Sequence, residues 1–190
     1  MEYSTDHEII KQVVAGNTSA YTYLINKYKN MVFTLSYAIL QNREDAEELA
    51  QDVFIKAFNA LPSFKGESLF STWLYRIVIN TSLNKKKLNN IKPLITDGDL
   101  SEDIYIDVDT LIKQQERKDR VKIVQSAIRL LKEDERLCIT LFYINELLIA
   151  EINELTGISI SNVKILLHRG RKNLYNELRL LLKTEISKLV

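Results

Sequence analysis

The sequence has few of the residues that make turns, cross-links and metal sites. Its 190 residues include only 5 glycines and 2 prolines, whereas a sheet protein of this size needs many turns built from them. The lone cysteine, Cys138, excludes a disulfide framework, and with two histidines the chain has no Cys/His set for zinc. No apolar run approaches the roughly 18 residues that span a membrane, and the polar residues 1–6 show no signal peptide. These absences predict a helical, cytoplasmic protein without a cofactor.

Charge is balanced overall but uneven along the chain. Lys and Arg number 26 and Asp and Glu number 25, so the net charge by itself indicates no partner. Residues 94–112 contain six acids and no base, residues 155–176 contain four bases and no acid, and residues 44–52 contain five acids. The near-neutral total therefore hides an acidic face, an acidic connection and a basic helix.

The acidic connection predicts the domain organisation. Pro93 and Gly98 precede or interrupt the acidic run, and its apolar residues show no helical period, which is typical of a flexible linker. We therefore expect an all-α protein of two helical domains, residues 6–88 and 121–182, joined by an acidic linker over residues 89–120.

The first domain shows helical periodicity followed by a loop. Apolar residues recur every three or four positions between residues 21 and 39, which predicts a long helix with Thr18 or Ser19 as its N-cap. Asn42, three residues before Asp45, predicts the cap of the next helix. That helix ends at Pro62, and we expect a loop over residues 63–71.

Aromatic and cationic residues gather around this loop. They are Phe64, Lys65, Phe70, Trp73, Tyr75, Arg76, Asn80 and the lysines 85–87. Aromatic rings stack on unpaired bases and cations follow phosphates, a combination typical of single-strand binding. The alternative is that the aromatic residues belong to the core and the lysines to a solvated helix end.

The acids Asp45, Glu48 and Asp52 fall on one side of the predicted helix. Such a row has three interpretations: a solvated helix face, a Mg²⁺ site, which would suit a metal-dependent nuclease, or a docking face for a basic partner.

The second domain has the order of a helix-turn-helix. After a helix marked by Leu137, Leu141 and Ile144, a short helix over residues 148–155 leads to Gly157, which permits a sharp reversal, and Ser159 and Ser161 are suitable caps for the next helix. Its outward positions are Ser161, Lys164, Ile165, His168, Arg169, Arg171 and Lys172. Recognition helices use such positions for base edges and phosphates. The alternatives are a dimeric duplex-binding regulator and a basic hairpin that binds nothing.

Both halves together resemble the extracytoplasmic-function (ECF) sigma factors of bacterial RNA polymerase. The resemblance covers about three quarters of the chain and rests on residues 45–54, 64–68, 72–77 and Asn80, then 156–159, 162–164 and 167–172. It implies a non-enzymatic promoter-specificity subunit that recognises the −35 and −10 elements and assists strand opening. The implied partners are core polymerase, including its β′ clamp helices and β subunit, promoter DNA and an anti-sigma factor.

The resemblance also implies roles for individual residues. Polymerase binding falls to Asp45, Glu48, Gln51 and Asp52. Recognition of the −10 element falls to Phe64, Lys65, Gly66, Glu67, Ser68, Phe70, Trp73, Arg76 and Asn80. Recognition of the −35 element falls to Ser159, Ser161, Asn162, Lys164, Ile165, His168, Arg169, Arg171 and Lys172.

Four residues depart from the family's pattern. Leu148 and Asn153 replace the small polar residue and the alanine that are common in the first helix of the motif. Ile165 and Leu166 replace a Ser-Arg pair that is common in the second helix. One phosphate-binding cation is therefore missing from the expected −35 surface.

Overall fold

The computed structural model describes residues 2–89 and 121–188, with side chains over 5–88 and 121–182. Within those residues all regular structure is helical, so the all-α prediction is confirmed. The chain forms two units, Met1–Thr96 and Asp97–Val190. The expected acidic linker lies, apart from its first residue, outside the described residues. None of the described helices is long and apolar enough to span a bilayer.

The described part of the first unit contains four α-helices. Its helices are α1 (Glu2–Val14), α2 (Tyr21–Leu40), α3 (Arg43–Ala60) and α4 (Phe70–Asn89), with short 3₁₀ turns at Thr18–Ala20 and Leu61–Ser63. Helices α2, α3 and α4 pack on one another around fully buried residues that include Leu35, Leu49 and Leu74. Because apolar side chains removed from water are the main source of stability, this core fixes the orientation of the three helices.

The two predicted caps of this unit differ in outcome. The Asn42 side chain accepts a hydrogen bond from the Asp45 amide at 2.9 Å, so the predicted cap of α3 is confirmed. The predicted cap of α2 is wrong, because Thr18 and Ser19 lie in the 3₁₀ turn and the N-cap position belongs to Ala20. The Ser19 hydroxyl instead donates to Oδ1 of Asn17 at 2.6 Å.

The second unit carries the helix-turn-helix. Residues 121–129 form α5, and it is followed by α6 (Glu133–Ile139), a π-helical turn (Thr140–Ile144), α7 (Ile149–Thr156) and α8 (Ile160–Lys188). Ile144, one of the apolar residues that mark the predicted helix, is 46% exposed, whereas Leu137 and Leu141 are buried. The wider π turn, closed by the Asn145 amide on the Thr140 carbonyl, rotates Ile144 off the face that carries Leu137 and Leu141.

Buried polar contacts hold α6 against its neighbours. The Arg136 guanidinium donates to the Leu131 carbonyl at 2.7 Å and to the Arg129 carbonyl at 3.3 Å, at the end of α5. Glu135 accepts from the Asn173 amide of α8 at 2.8 Å. These contacts satisfy groups that would otherwise be buried without partners. The thiol of Cys138 is buried, as expected, and burial raises its pKa to about 11.

Candidate nucleic-acid interface

Three acidic residues of α3 and one glutamine lie along one side of the helix, and this surface is here called the acidic face: Asp45, Glu48, Gln51 and Asp52. Both Gln51 and Asp52 follow Glu48 by three or four residues, and Glu48 follows Asp45 by three, so all four lie on neighbouring positions of the helix surface. Glu48, Gln51 and Asp52 are exposed and Asp45 is half-buried, because the opposite side of α3 carries the core residues Leu49 and Val53. The acidic face is therefore available to a partner.

A lysine from α4 reaches the acidic face. The Lys85 ammonium lies 2.6 Å from Oε2 of Glu48 and 3.4 Å from Oδ1 of Asp45, and its side chain is only 19% exposed. Partial burial lowers the pKa of Lys85, but the hydrogen bond to Glu48 and the two carboxylate charges raise it above the ordinary value overall. The grouping of Lys85 with the cations around the loop is therefore wrong.

The Mg²⁺ interpretation of the acidic face has no support in the described residues. Among them, no three His, Cys, Asp or Glu side chains are grouped so that they could hold a metal ion. Asp45 and Glu48 instead share one ammonium group, that of Lys85.

The loop over residues 64–69 precedes α4, and its aromatic residues form a cluster. The ring centroids of Phe64 and Trp73 are 5.2 Å apart, and each lies within 6.0 Å of the Phe70 centroid. Phe70 begins α4 instead of lying in the predicted loop, and it is buried together with Tyr75. Phe64 and Trp73 are half-buried. Both sequence interpretations therefore apply in part: Phe70 and Tyr75 are core residues, while Phe64 and Trp73 keep some exposed ring surface.

Polar candidates surround this aromatic cluster. Lys65 and Glu67 of the loop are exposed, as are Arg76 and Asn80 of α4, and Ser68 is half-buried. Trp73, Arg76 and Asn80 follow one another at intervals of three and four residues and so share one side of α4. The cluster combines ring surface with cations, which is the combination that single-strand binding uses.

The turn between α7 and α8 is held by its own residues. Gly157 has a φ of +75° and ends α7. The Asn153 side-chain amide donates to the Ile158 carbonyl at 2.8 Å, and the Thr156 hydroxyl accepts from the Ile158 amide at 3.2 Å. Asn153, which departs from the family's usual alanine, thus stabilises the turn, a contribution that the sequence analysis missed.

The start of α8 presents all the predicted −35 residues to solvent. The Ser159 hydroxyl accepts from the Asn162 amide at 3.3 Å, whereas Ser161 lies inside the helix, so only Ser159 is a cap. Exposed residues of this recognition face are Ser159, Ser161, Asn162, Lys164, Ile165, His168, Arg169, Arg171 and Lys172. The Arg171 guanidinium donates to the Tyr143 hydroxyl at 3.3 Å.

The two departures in α8 have different surroundings. Ile165 is 47% exposed on the recognition face, while Leu166 is buried with Val163 and Leu167 on the opposite side. At position 166 a buried leucine stands where the family commonly has a cation. The leucine adds buried apolar area to the core, and the recognition face has one positive charge fewer.

Comparison with known proteins gives matches over both units. The family model for Sigma-70 region 2 matches residues 24–90, and the model for Sigma-70, region 4 matches residues 122–174. The chain is 33% identical over 187 residues to the ECF RNA polymerase sigma factor SigW of Bacillus subtilis, covering 90% of this chain and 95% of that protein. It is 29% identical over 189 residues to the ECF RNA polymerase sigma-E factor of Escherichia coli, covering 96% and 98%.

A solved structure resembles the fold. It is the sigma factor RpoE of Bartonella quintana in complex with the anti-sigma factor NepR, with a TM-score of 0.66 and 19% identity. The match covers 84% of this chain and 96% of the other. At this identity the likeness concerns the fold alone.

Proposed function

The chain belongs to the ECF sigma factors of bacterial RNA polymerase, and from this membership we propose which surface carries each step of its function. It is a promoter-specificity subunit, which binds RNA polymerase and directs transcription initiation at promoters with −35 and −10 elements. The members of this family are regulatory subunits of the polymerase. Residues 6–88 form the domain for polymerase docking and −10 recognition, and residues 121–182 form the domain for −35 recognition.

The acidic face of α3 docks on the β′ clamp helices of core polymerase. Glu48, Gln51 and Asp52 are exposed on one side of a helix whose other side is core, so a partner can cover them without unfolding α3. Complementary charge speeds encounter and selects the partner. Lys85 holds Glu48 in a fixed position before docking.

The loop and the first turns of α4 capture a base of the −10 element. Phe64 and Trp73 supply half-buried ring surface, and the Phe70 ring packs against both. Arg76 and Asn80 lie on the same side of α4 as Trp73 and are exposed. A base that has left the duplex stacks on an aromatic ring, while the cation meets a phosphate.

The recognition face of α8 reads the −35 element, and the exposure of all nine of its residues is the observation that carries this assignment. The N-terminal residues of such a helix contact base edges in the major groove, and its cations contact phosphates. Ile165 offers an apolar contact for a thymine methyl group.

Strand opening requires the polymerase. Stacking two or three bases returns about 2–9 kcal/mol, whereas opening about ten base steps costs about 14 kcal/mol at ~1.4 kcal/mol per step. The isolated chain therefore leaves the duplex closed, and core polymerase contributes the remaining binding free energy. An anti-sigma factor is the further partner we propose, supported by the Bartonella relative of similar fold, which was solved with one.

The first test concerns docking. Because charge reversal at Asp45 or Glu48 would also repel Lys85, the informative triple variant is neutral: Asp45→Asn, Glu48→Gln and Asp52→Asn. We expect its affinity for core polymerase to fall at least about tenfold, as loss of close charge pairs does at other interfaces, with run-off transcription lost in parallel. Glu8→Gln, an exposed acid of α1, is the control.

Unchanged polymerase affinity of the triple variant, with a normal circular dichroism spectrum, would contradict the docking assignment. Binding of the isolated chain to a palindromic duplex as a dimer, without polymerase, would instead favour the alternative of an ordinary transcriptional regulator.

A further inference from the structure

Helix α1 contacts the loop that we assign to −10 recognition, although all of α1 precedes residue 24, where the match to Sigma-70 region 2 begins. The His7 ring lies directly over Gly66. A Cβ atom at position 66 would lie 2.7 Å from Cε1 and 3.3 Å from Nδ1 of His7. Since real Cβ contacts are not that short, only a glycine fits beneath the ring in its present position.

The seam between α1 and the loop is closely packed. Asp6, His7 and Ile10 of α1 and residues 64 and 68–70 line a partly open cavity of only about 10 Å³. That volume is about what a single water molecule needs and is far too small for a base. The seam is therefore a packing joint between α1 and the loop.

A partly buried ion pair fixes the same part of α1 to α2. The carboxylate of Asp6, which is 7% exposed, accepts hydrogen bonds from the Lys27 ammonium at 2.9 and 3.1 Å and from the Tyr28 hydroxyl. The Tyr28 ring in turn lies 5.4 Å from the Phe70 ring, centroid to centroid. The loop is thus held at two points, by His7 at Gly66 and by Tyr28 at the aromatic cluster.

We propose that His7 is a positioning residue for −10 recognition: its ring, carried by a helix that the Asp6 carboxylate fixes to α2, holds the loop in the conformation that captures a base. This inference rests on the proposed function of the loop. Ordering a flexible loop on binding opposes association, so a contact that orders the loop beforehand increases affinity and selectivity. His7 acts through Gly66 and does not itself need to touch DNA.

The test uses the holoenzyme formed by the full chain and core polymerase. A single-stranded oligonucleotide pool randomised over six positions is first selected with the wild-type holoenzyme. Selectivity is then the ratio of affinities for the selected oligonucleotide and its single-base variants. We expect His7→Ala to lower this ratio about fivefold through lost preorganisation, with core binding unchanged. Glu8→Ala, the exposed neighbour, should leave the ratio unchanged.

Two further variants separate positioning from a general loss of stability. His7→Phe keeps a flat ring over Gly66 and should retain wild-type selectivity. Gly66→Ala displaces the ring and should lower selectivity by itself. In the Gly66→Ala background, His7→Ala should lower the selectivity ratio by less than a further twofold, because the contact is already lost. If the two residues acted independently, their effects on the ratio would multiply.

The result distinguishes this inference from the proposed function beneath it. If Phe64→Ala lowers selectivity and His7→Ala does not, the positioning role is wrong and −10 recognition by the loop stands. If Phe64→Ala also leaves selectivity unchanged, the assignment of the loop is itself wrong. Two other results would overturn the role of the ring contact. One is a double variant whose loss of selectivity equals the product of the two single losses, and the other is a His7→Phe protein that is as unselective as His7→Ala.

Discussion

Gly66 in the −10 loop and Gly157 in the helix-turn-helix have nearly the same backbone conformation in opposite surroundings. Their φ angles are +73° and +75°. A Cβ atom at Gly66 would meet the His7 ring, whereas a Cβ atom at Gly157 would have no neighbour within 4 Å. One glycine is required by its conformation and by a distant helix, the other by its conformation alone.

The residues that hold the two glycine turns also differ in how far along the chain they lie. The turn at Gly157 is held by Asn153, Thr156 and Ser159, each bonded to a residue at most five positions away. The loop at Gly66 is held by His7 of α1 and, through Phe70, by Tyr28 of α2. A regular helix presents its side chains through its own geometry, whereas an irregular loop needs support from elsewhere in the fold.

The largest effect should come from removing the anchor of α1. Asp6→Ala removes the carboxylate that accepts hydrogen bonds from the half-buried Lys27 ammonium and from the Tyr28 hydroxyl. Since the pair is partly exposed, we expect a loss of about 2 kcal/mol in the free energy of unfolding, below the 3–5 kcal/mol of a fully buried pair. Trp73, the only tryptophan, reports this unit by fluorescence during urea unfolding.

Glu8→Ala is the control for Asp6→Ala, because Glu8 is exposed on the same helix. The comparison predicts that the loss is confined to the first unit. A fluorescence midpoint that does not move, or one that moves equally for Glu8→Ala, would mean that α1 does not support the loop.

This contrast also explains which features could be predicted from the sequence. The recognition face and the cap at Asn42 follow from helical period and local spacing, so the exposure of Lys164, Ile165 and His168 was predictable. The contact of His7 with Gly66 and that of Lys85 with Glu48 join residues far apart in the chain. Periodicity carries no signal for such contacts. It also does not predict the exposure of Ile144, because the i→i+5 bonds of the π turn interrupt the 3.6-residue period of an α-helix.

The second prediction concerns charge on the recognition face. Lys164→Ala combined with Arg171→Ala should weaken binding of the holoenzyme to a −35 duplex about tenfold, and should reduce the slope of log K against log salt by about 1.8, or 0.9 per phosphate contact. Stability should change little, because both side chains are exposed. Affinity is measured between 50 and 200 mM salt, a range wide enough to define the slope.

Arg179→Ala provides the matched control, since Arg179 is an exposed cation farther along α8. An unchanged slope in the double variant would show that this face does not contact phosphates. A slope that falls equally in the control would indicate a general effect of charge.

The third prediction compares the two glycines directly. Gly157→Ala should lower the free energy of unfolding by about 1 kcal/mol, because alanine disfavours a positive φ. Gly66→Ala should lower it somewhat more, because its methyl group also displaces the His7 ring. Trp73 fluorescence follows the Gly66→Ala variant and circular dichroism follows the Gly157→Ala variant. Equal losses at the two glycines would mean that the His7 ring does not hold the loop.

The smallest effect should come from a local cap. Ser159→Ala removes the hydroxyl that accepts from the Asn162 amide, and since that bond is exposed and 3.3 Å long, we expect a loss of about 0.5 kcal/mol, at the low end for an N-cap. Ser161→Ala is the matched control, because Ser161 is also exposed but lies within α8, where alanine is the better helix former. Urea unfolding followed by circular dichroism measures both. Equal effects at the two serines would show that the start of α8 does not depend on its cap, and that the turn at Gly157 is held by Asn153 and Thr156 alone.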